Sequence, residues 1–233
     1  MVKDKYIVMI PVRGGSKSIH LKNIKPILGR PLVYWSIDAA LGSSNIDKVY
    51  IATDSEDIKK CIKSHEKFGV DPRLLIYDRD PFNARDVSTT EDIQLEFSVK
   101  FDYENLVFIQ ATNPLITTAD VDGAIKEFER GCYDSLVSTV VQKRFYWNFN
   151  SDGSISEIEH SIQKRPRRQD WNGVLAENGS IYIIPKKNLE KGRCRLYGKI
   201  GTYIMPDYTY YEIDEEYDWL IIEAIMQHRN LKN

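Results

Sequence analysis

Short apolar runs rich in Ile, Val and Tyr alternate with longer amphipathic stretches through the first half of this sequence. Tyr6–Pro11, Val49–Thr53, Leu74–Tyr77 and Leu106–Gln110 have the length and composition of strands. Between them lie helical periods. Ile58, Cys61, Ile62 and His65 recur at i, i+3, i+4 and i+7, as do Val121, Ala124, Ile125 and Phe128 behind a Thr117-x-x-Asp120 capping pattern. Strands that are apolar almost throughout are buried on both faces, and parallel strands need helical crossovers. The pattern therefore predicts an α/β fold: a Rossmann-like, mainly parallel central sheet flanked by helices.

The rhythm changes after about Asp134. Ser135–Gln142 reads as a strand. Phe145–Phe149 and Ser154–Ile158 then form an excursion with a turn at Ser151-Asp152-Gly153. A basic, proline-containing loop follows at Gln163–Gln169. The main pattern returns with Ser180–Ile184, Tyr203–Met205 and a closing helix from about Glu215 to His228. A length of 233 residues suits one domain, 1–233, with the excursion at about 140–175 covering a site or pairing subunits. Phe145, Tyr146, Trp147 and Phe149 have little neighbouring apolar sequence to bury them. They predict a homodimer with the excursion at its interface.

Composition narrows the function. The net charge of −2 excludes a basic nucleic-acid binder on bulk charge, and no apolar run approaches the roughly 18 residues of a membrane span. Tyr6–Val12 is a poor signal-peptide core, since it contains a proline and meets Arg13. Cys61, Cys132 and Cys194 are odd in number and far apart. The four histidines form no ligand pair, so neither a disulfide framework nor zinc is expected, and a reducing cytoplasm fits.

In parallel α/β sheets the ligand lies beyond the carboxyl ends of the strands. The first such end carries Pro11-Val12-Arg13-Gly14-Gly15-Ser16-Lys17, then Leu21-Lys22-Asn23. Adjacent glycines allow a tight turn with N–H groups aimed at an anion. Arg13, Lys17 and Lys22 supply the cations that a triphosphate of about four negative charges needs. Neither GxxxxGK[ST] nor GxGxxG is present. A solvated glycine loop with surface lysines is the alternative; three cations directly after the first strand favour phosphate.

Arg13-Gly14-Gly15-Ser16-Lys17 with Leu21-Lys22-Asn23 resembles the first signature of the CMP-sialic acid synthetases, the acylneuraminate cytidylyltransferases. The resemblance continues in order through Gln110-Ala111-Thr112-Asn113-Pro114-Leu115, Lys164-Arg165-Pro166-Arg167-Arg168-Gln169-Asp170-Trp171, Glu177-Asn178-Gly179-Ser180-Ile181-Tyr182, Ile213-Asp214 and Asp218-Trp219. The basic and Glu177 stretches look most like the animal enzymes. Those carry a further C-terminal domain, so the expected architecture is closer to a bacterial form. Ser18 and His20 depart from the family's usual glycine and proline.

The resemblance implies a nucleotidyltransferase that joins a nonulosonic, sialic-type acid to CTP, giving a CMP-sugar and pyrophosphate. It places Arg13, Lys17 and Lys22 on the phosphates within the Gly14-Gly15-Ser16 loop, and Asn23, Arg79, Ser88 and Thr90 on the nucleotide. From the residues alone, Arg79-Asp80-Pro81 is a surface turn. Gln110 is expected near the sugar. The Lys164–Arg168 run reads as a solvated loop, as a nuclear-import patch (in animal relatives only) or as a carboxylate grip. The resemblance favours the last, with Arg167 essential and Arg168 and Gln169 beside it. Glu212 and Asp214 flank Ile213, so an extended segment points both to one side. Relatives usually have Asp-x-Asp there, which implies Mg²⁺ with Asp214 as primary ligand and Glu212 as secondary. Arg13, Lys17, Arg167 and Asp214 are the expected catalytic set. Two rivals remain: a CMP-Kdo synthetase, whose first loop usually lacks this Gly-Gly-Ser-Lys pattern, and a nucleotide-binding regulator without catalysis. The choice among N-acetylneuraminate, KDN and a legionaminate-type acid stays open.

Overall fold

In a computed structural model that describes residues 3–15, 18–84 and 88–230, the first apolar run forms β1 (Asp4–Pro11), buried from Tyr6 to Ile10. A minimal hairpin of β2 (Pro26–Ile27) and β3 (Arg30–Pro31) leads into α1 (Leu32–Gly42). Strand and helix then alternate: β4 (Lys48–Thr53), α2 (Glu56–Lys63), β5 (Leu74–Asp78), α3 (Thr90–Lys100), β6 (Tyr103–Ile109), α4 (Thr118–Gly131) and β7 (Ser135–Gln142). The excursion holds β8 (Trp147–Phe149) and β9 (Ile155–Glu157). The chain ends with β10 (Val174–Pro185), α5 (Lys186–Gly192), β11 (Ile200–Ile204) and α6 (Glu216–Asn230).

Seven strands form one sheet in the order β11-β7-β10-β6-β1-β4-β5. β1 runs parallel to β4 and β6, β4 to β5, and β7 to β11, whereas β10 is antiparallel to both its neighbours, β6 and β7. The expected mainly parallel sheet is therefore present. Its reversal at β10 follows from the excursion: β7 and β10 are joined by a return rather than by a crossover helix. β10 begins at Val174, earlier than the Ser180 read from the sequence.

Successive side chains of a strand point to opposite faces, and the core divides accordingly. Val8, Ile10, Val49 and Ile51 pack under α1, α2 and α4, while Ile7, Met9, Tyr50 and Ala52 pack under α3 and α5. α6 closes a third cluster, laying Trp219, Ile222 and Met226 on Ile19, Ile27, Leu115 and Ile213. Thr117 and Asp120 form the expected capping box of α4, and Thr89 and Asp92 cap α3 in the same way. α2 stops at Lys63, so His65 lies past its end, stacked on Phe68 at 4.1 Å.

β8 and β9 pair as a hairpin that turns through Gly153, whose φ of +83° suits glycine. Phe145 stacks on Trp171 at 5.0 Å and leans on His160 at 4.5 Å, while Trp147 meets His160 edge-on. Part of the aromatic group thus finds partners in its own chain. Phe149 does not and stays 91% exposed.

Candidate active site

A cavity of about 300 Å³ opens at the carboxyl ends of β1, β5 and β6, lined by Arg13, Lys22, Asn23, Arg79, Gln110 and Thr112, with the start of α3 (Ser88 to Thr90) on one side. Arg13 leaves the end of β1. Its backbone carbonyl accepts from the Asn23 side-chain amide at 3.1 Å, tying the two halves of the first loop together. Gly14 donates its N–H to the Asp54 carboxylate at 3.0 Å. A Cβ at Gly14 would stand 2.8 Å from that of Ser55, the N-cap of α2, so the residue is glycine for close approach. Gly15 has open space around it. Ser16 and Lys17 lie outside the described residues.

Lys22 is nearly buried and donates to the Ile213 carbonyl at 2.7 Å and to the Asp214 carboxylate at 3.3 Å. Arg79 follows β5 directly. Burial holds its guanidinium below the usual value and the nearby charge of Arg13 lowers it further, against the pull of Asp54 and Glu96. Its Nε is buried with no hydrogen-bond partner among the described residues, which suits an anionic ligand. Arg79, read in isolation as part of a surface turn, thus lines the cavity. Thr90 opens α3, whose N-terminal end adds a positive dipole to the same side. Gln110 comes one residue after β6, held by its N–H on the Ser180 carbonyl at 3.3 Å.

Across the cavity, Thr112 donates its hydroxyl to Glu212 at 3.2 Å, and its carbonyl accepts from Ile213 N–H at 2.8 Å. Glu212 and Asp214 are close neighbours, as their spacing predicts. Burial pushes the Glu212 carboxyl up, and the adjacent Asp214 charge pushes it the same way. A buried amide network holds this segment. Asn113 donates to the carbonyls of Asn178 and Thr209 at 2.9 and 2.8 Å; Asn178 accepts from Ser138 at 2.6 Å and donates to Thr209 at 3.0 Å. Gly179 has φ +61° at the irregularity of β10, and a Cβ there would overlap the Glu212 carboxylate. Thr112, Asn113, Asn178 and Gly179 fall within stretches singled out above, but no spacing rule marks them as the frame of Glu212. Asp54 carried no sequence signal at all.

The expected sugar residues do not assemble in one place. Gln110 belongs to the cavity. Arg168 and Gln169 line a separate open groove of about 1210 Å³ between the end of β7, the Asp207–Tyr211 segment and α6. Arg167 lines neither; its side chain is 75% exposed and pairs with Asp170 at 2.6 Å.

Cations converge at the carboxyl ends of parallel strands beside a glycine loop and a helix start, in a fold of the Rossmann-like α/β class. Within that class the chain belongs to the cytidylyltransferase family, which it matches over residues 7–233. Danio rerio N-acylneuraminate cytidylyltransferase B is 34% identical over 219 residues, 92% of this chain and 50% of that protein. The Oncorhynchus mykiss N-acylneuraminate cytidylyltransferase is 34% identical over 95% of this chain and 50% of its own length, so the chain spans about half of these relatives. Campylobacter coli post-translational flagellin modification protein B is 28% identical over 98% of both chains. A solved CMP:2-keto-3-deoxy-manno-octonic acid synthetase complexed with CTP superposes with a TM-score of 0.68 over 97% of this chain and all of that one; at 15% identity it shows the fold alone. The resemblance to the CMP-sialic acid synthetases is borne out by these relatives. No helix among the described residues is long and apolar enough to cross a membrane.

Proposed function

We propose that this chain catalyses cytidylyl transfer from CTP to a nonulosonic acid, releasing pyrophosphate. The observation that carries the reading is the placement of Arg13, Lys22 and Arg79 around one cavity, with Glu212 and Asp214 bonded to Thr112 and Lys22 of its lining. The sugar's anomeric oxygen forms the new bond to the α-phosphorus as the bond to the bridging oxygen of pyrophosphate breaks. Such chemistry depends on positioning and on neutralising charge rather than on a protein nucleophile. Arg13 and Arg79 suit the phosphates. Lys22 holds the 213–214 backbone against the first loop and brings its positive charge to the same rim. Asn23 and the Ser88–Thr90 segment border the nucleotide, and the named relatives support CTP over other triphosphates.

A divalent ion is part of this reading. Among the described residues no three His, Cys, Asp or Glu side chains gather into a metal cage. Two carboxylates with substrate phosphate are the set that Mg²⁺ commonly takes. The residues fit it. Gly179 leaves a space that a Cβ would fill, Glu212 occupies it beside Asp214, and a cation there would relieve the like charge that raises the Glu212 carboxyl. Bound there, the ion would neutralise phosphate oxygens. Asp214 is the primary ligand in this reading, since Glu212 is half-buried and already accepts from Thr112.

Arg167 as the carboxylate grip rests on the resemblance. Because the fold leaves it exposed beside Asp170, it requires the excursion to close over a cavity, its own or that of a second copy. A homodimer with the excursion at about 140–175 at its interface, leaving Phe149 covered, is the arrangement we favour. The deciding experiment is pyrophosphate release from CTP with N-acetylneuraminate, KDN and a legionaminate-type acid. Release with at least one acid, and little with UTP, supports the reading; none with any acid leaves the regulator. Asp214→Asn is expected to lower turnover and shift the Mg²⁺ response far more than Glu212→Gln. An unchanged Mg²⁺ response in Asp214→Asn would move the ion elsewhere.

A further inference from the structure

Arg79 is the cavity cation carried on the loop after β5, and that loop is held from outside the cavity. Arg79 N–H reaches the Thr53 carbonyl only at 3.4 Å, and its guanidinium donates to the carbonyl of Asn83. The Asn83 side-chain amide in turn donates to Glu96 Oε2 at 2.7 Å. Glu96 Oε1 accepts from the backbone N–H of Asp80 at 3.1 Å and from the Tyr77 hydroxyl at the end of β5. Lys100, one turn further along α3, adds a contact at 2.9 Å from a largely exposed position. One carboxylate therefore binds the loop at its entry, beside Arg79 and at its exit, while the start of the same helix borders the cavity. Burial alone would raise the Glu96 carboxyl, but the bonds from Asn83, Tyr77, Lys100 and Asp80 outweigh it and bring it down to about 2, so the acceptor stays ionised at any working pH.

We propose that Glu96 is the positioning residue for nucleotide binding, holding the 79–83 loop through Asn83 and Asp80 so that Arg79 faces the triphosphate. Glu96 touches no cavity atom itself. It acts through a chain of charge-assisted hydrogen bonds, the stronger kind of such contacts. The inference rests on the nucleotide reading of the cavity and adds to it the residue that sets its affinity.

The test is calorimetric CTP affinity with Mg²⁺, on the full chain. Asn83→Asp sets two carboxylates against each other and is expected to weaken CTP about tenfold. Glu96→Gln, nearly isosteric, weakens it in the same direction and serves if the first variant does not fold. Combining the two exchanges donor and acceptor: the amide now at position 96 donates to the carboxylate now at position 83. Affinity is expected to return to within about threefold of wild type, a recovery that mere damage would not show. In an Arg79→Ala background, Asn83→Asp is expected to change affinity by less than about twofold. Lys100→Met, which removes the ion pair with Glu96 and the contacts on Tyr77 but none of the donors from Asp80 and Asn83, is expected to change affinity by less than about twofold. Normal CTP affinity in both single variants, failure of the pair to recover, or an equal loss with and without Arg79 overturns the proposal. A wild-type protein that binds CTP but releases no pyrophosphate with any acid removes the proposed reaction and leaves this inference standing. One that binds no CTP overturns both.

Discussion

Gly179→Ala separates what the backbone needs at the β10 irregularity from what Glu212 needs. The glycine sits at φ +61°, where an L-residue with a Cβ is strained by about 1–2 kcal/mol. The added methyl would also overlap the Glu212 carboxylate, the mobile end of a flexible side chain, which is displaced rather than crushed. Displacement breaks the 3.2 Å bond from Thr112, but it also moves a half-buried carboxylate away from Asp214; these opposing changes leave the backbone strain as the main loss. For a chain of this size, about 1–2 kcal/mol lowers the unfolding midpoint by roughly 2–8 °C. Activity is expected to fall further than stability explains, about 10–100-fold, as when a group that orients a metal site is disturbed. The assays are thermal unfolding and pyrophosphate release titrated with Mg²⁺, repeated in a Glu212→Ala background. There the strain persists but the activity loss from Gly179→Ala disappears. Undiminished stability would refute the left-handed argument. Full activity with a normal Mg²⁺ response in the destabilised single variant would refute the assignment of Glu212 to the site.

Arg13→Ala is expected to reduce turnover at least about a hundredfold with the fold intact, since one donor aimed at developing negative charge contributes about 2.7–4 kcal/mol; near-normal rates in a folded variant would remove it from the site. Asn178→Ala leaves the buried Ser138 hydroxyl without its acceptor and removes a donor to Thr209, and should lower stability by about 1–3 kcal/mol in urea unfolding, whereas an unchanged midpoint would mean that the network is dispensable. The raised Glu212 carboxyl means that the native state holds its proton to higher pH than the unfolded chain does. Stability from this group is lost as pH rises from the unfolded value of about 4.3 through the folded one, so the stability of Glu212→Gln minus that of wild type should increase over that window; a decrease with rising pH would reverse the sign. Arg167→Ala is expected to weaken the sugar acid and slow turnover without moving CTP affinity, and light scattering should give a dimeric mass at micromolar concentration; a shift confined to CTP would remove the carboxylate assignment.

The alternation of β1, β4, β5 and β6 with their helices was legible because parallel burial writes a local pattern of unbroken apolar runs. The α4 cap was legible because Thr117 and Asp120 satisfy each other within three residues. β10 was not. Its direction depends on how the 143–173 segment returns the chain, a long-range property with no local signature, and its first half carries Glu177 and Asn178, which interrupt the apolar run, so only Ser180–Ile184 read as a strand. His65 extended the α2 period on paper because periodicity alone cannot see that the chain turns at Ser64 and that the ring is held by Phe68.

The site divides along the same physical line. Arg13, Lys22 and Asn23 sit on one short loop after one strand, so their grouping is a consequence of sequence proximity and strand direction. Glu212 and Asp214 were paired by the two-residue period of extended chain, and the Asp214 charge acting on Glu212 agrees with it. From the residues alone Arg79 read as a surface turn and only the resemblance placed it at the nucleotide, because nothing near it in sequence explains why a charged turn should face inward. The reason lies in Glu96, outside the cavity and on the next helix, which fills its carboxylate with the loop's own donors. Residues that touch a ligand often sit in recognisable local motifs, since their chemistry restricts residue type. Residues that aim them are chosen only by distance in space, and any chain segment with an acceptor at the right place serves. Glu96 is one glutamate among many acidic residues here, and only its four donors set it apart.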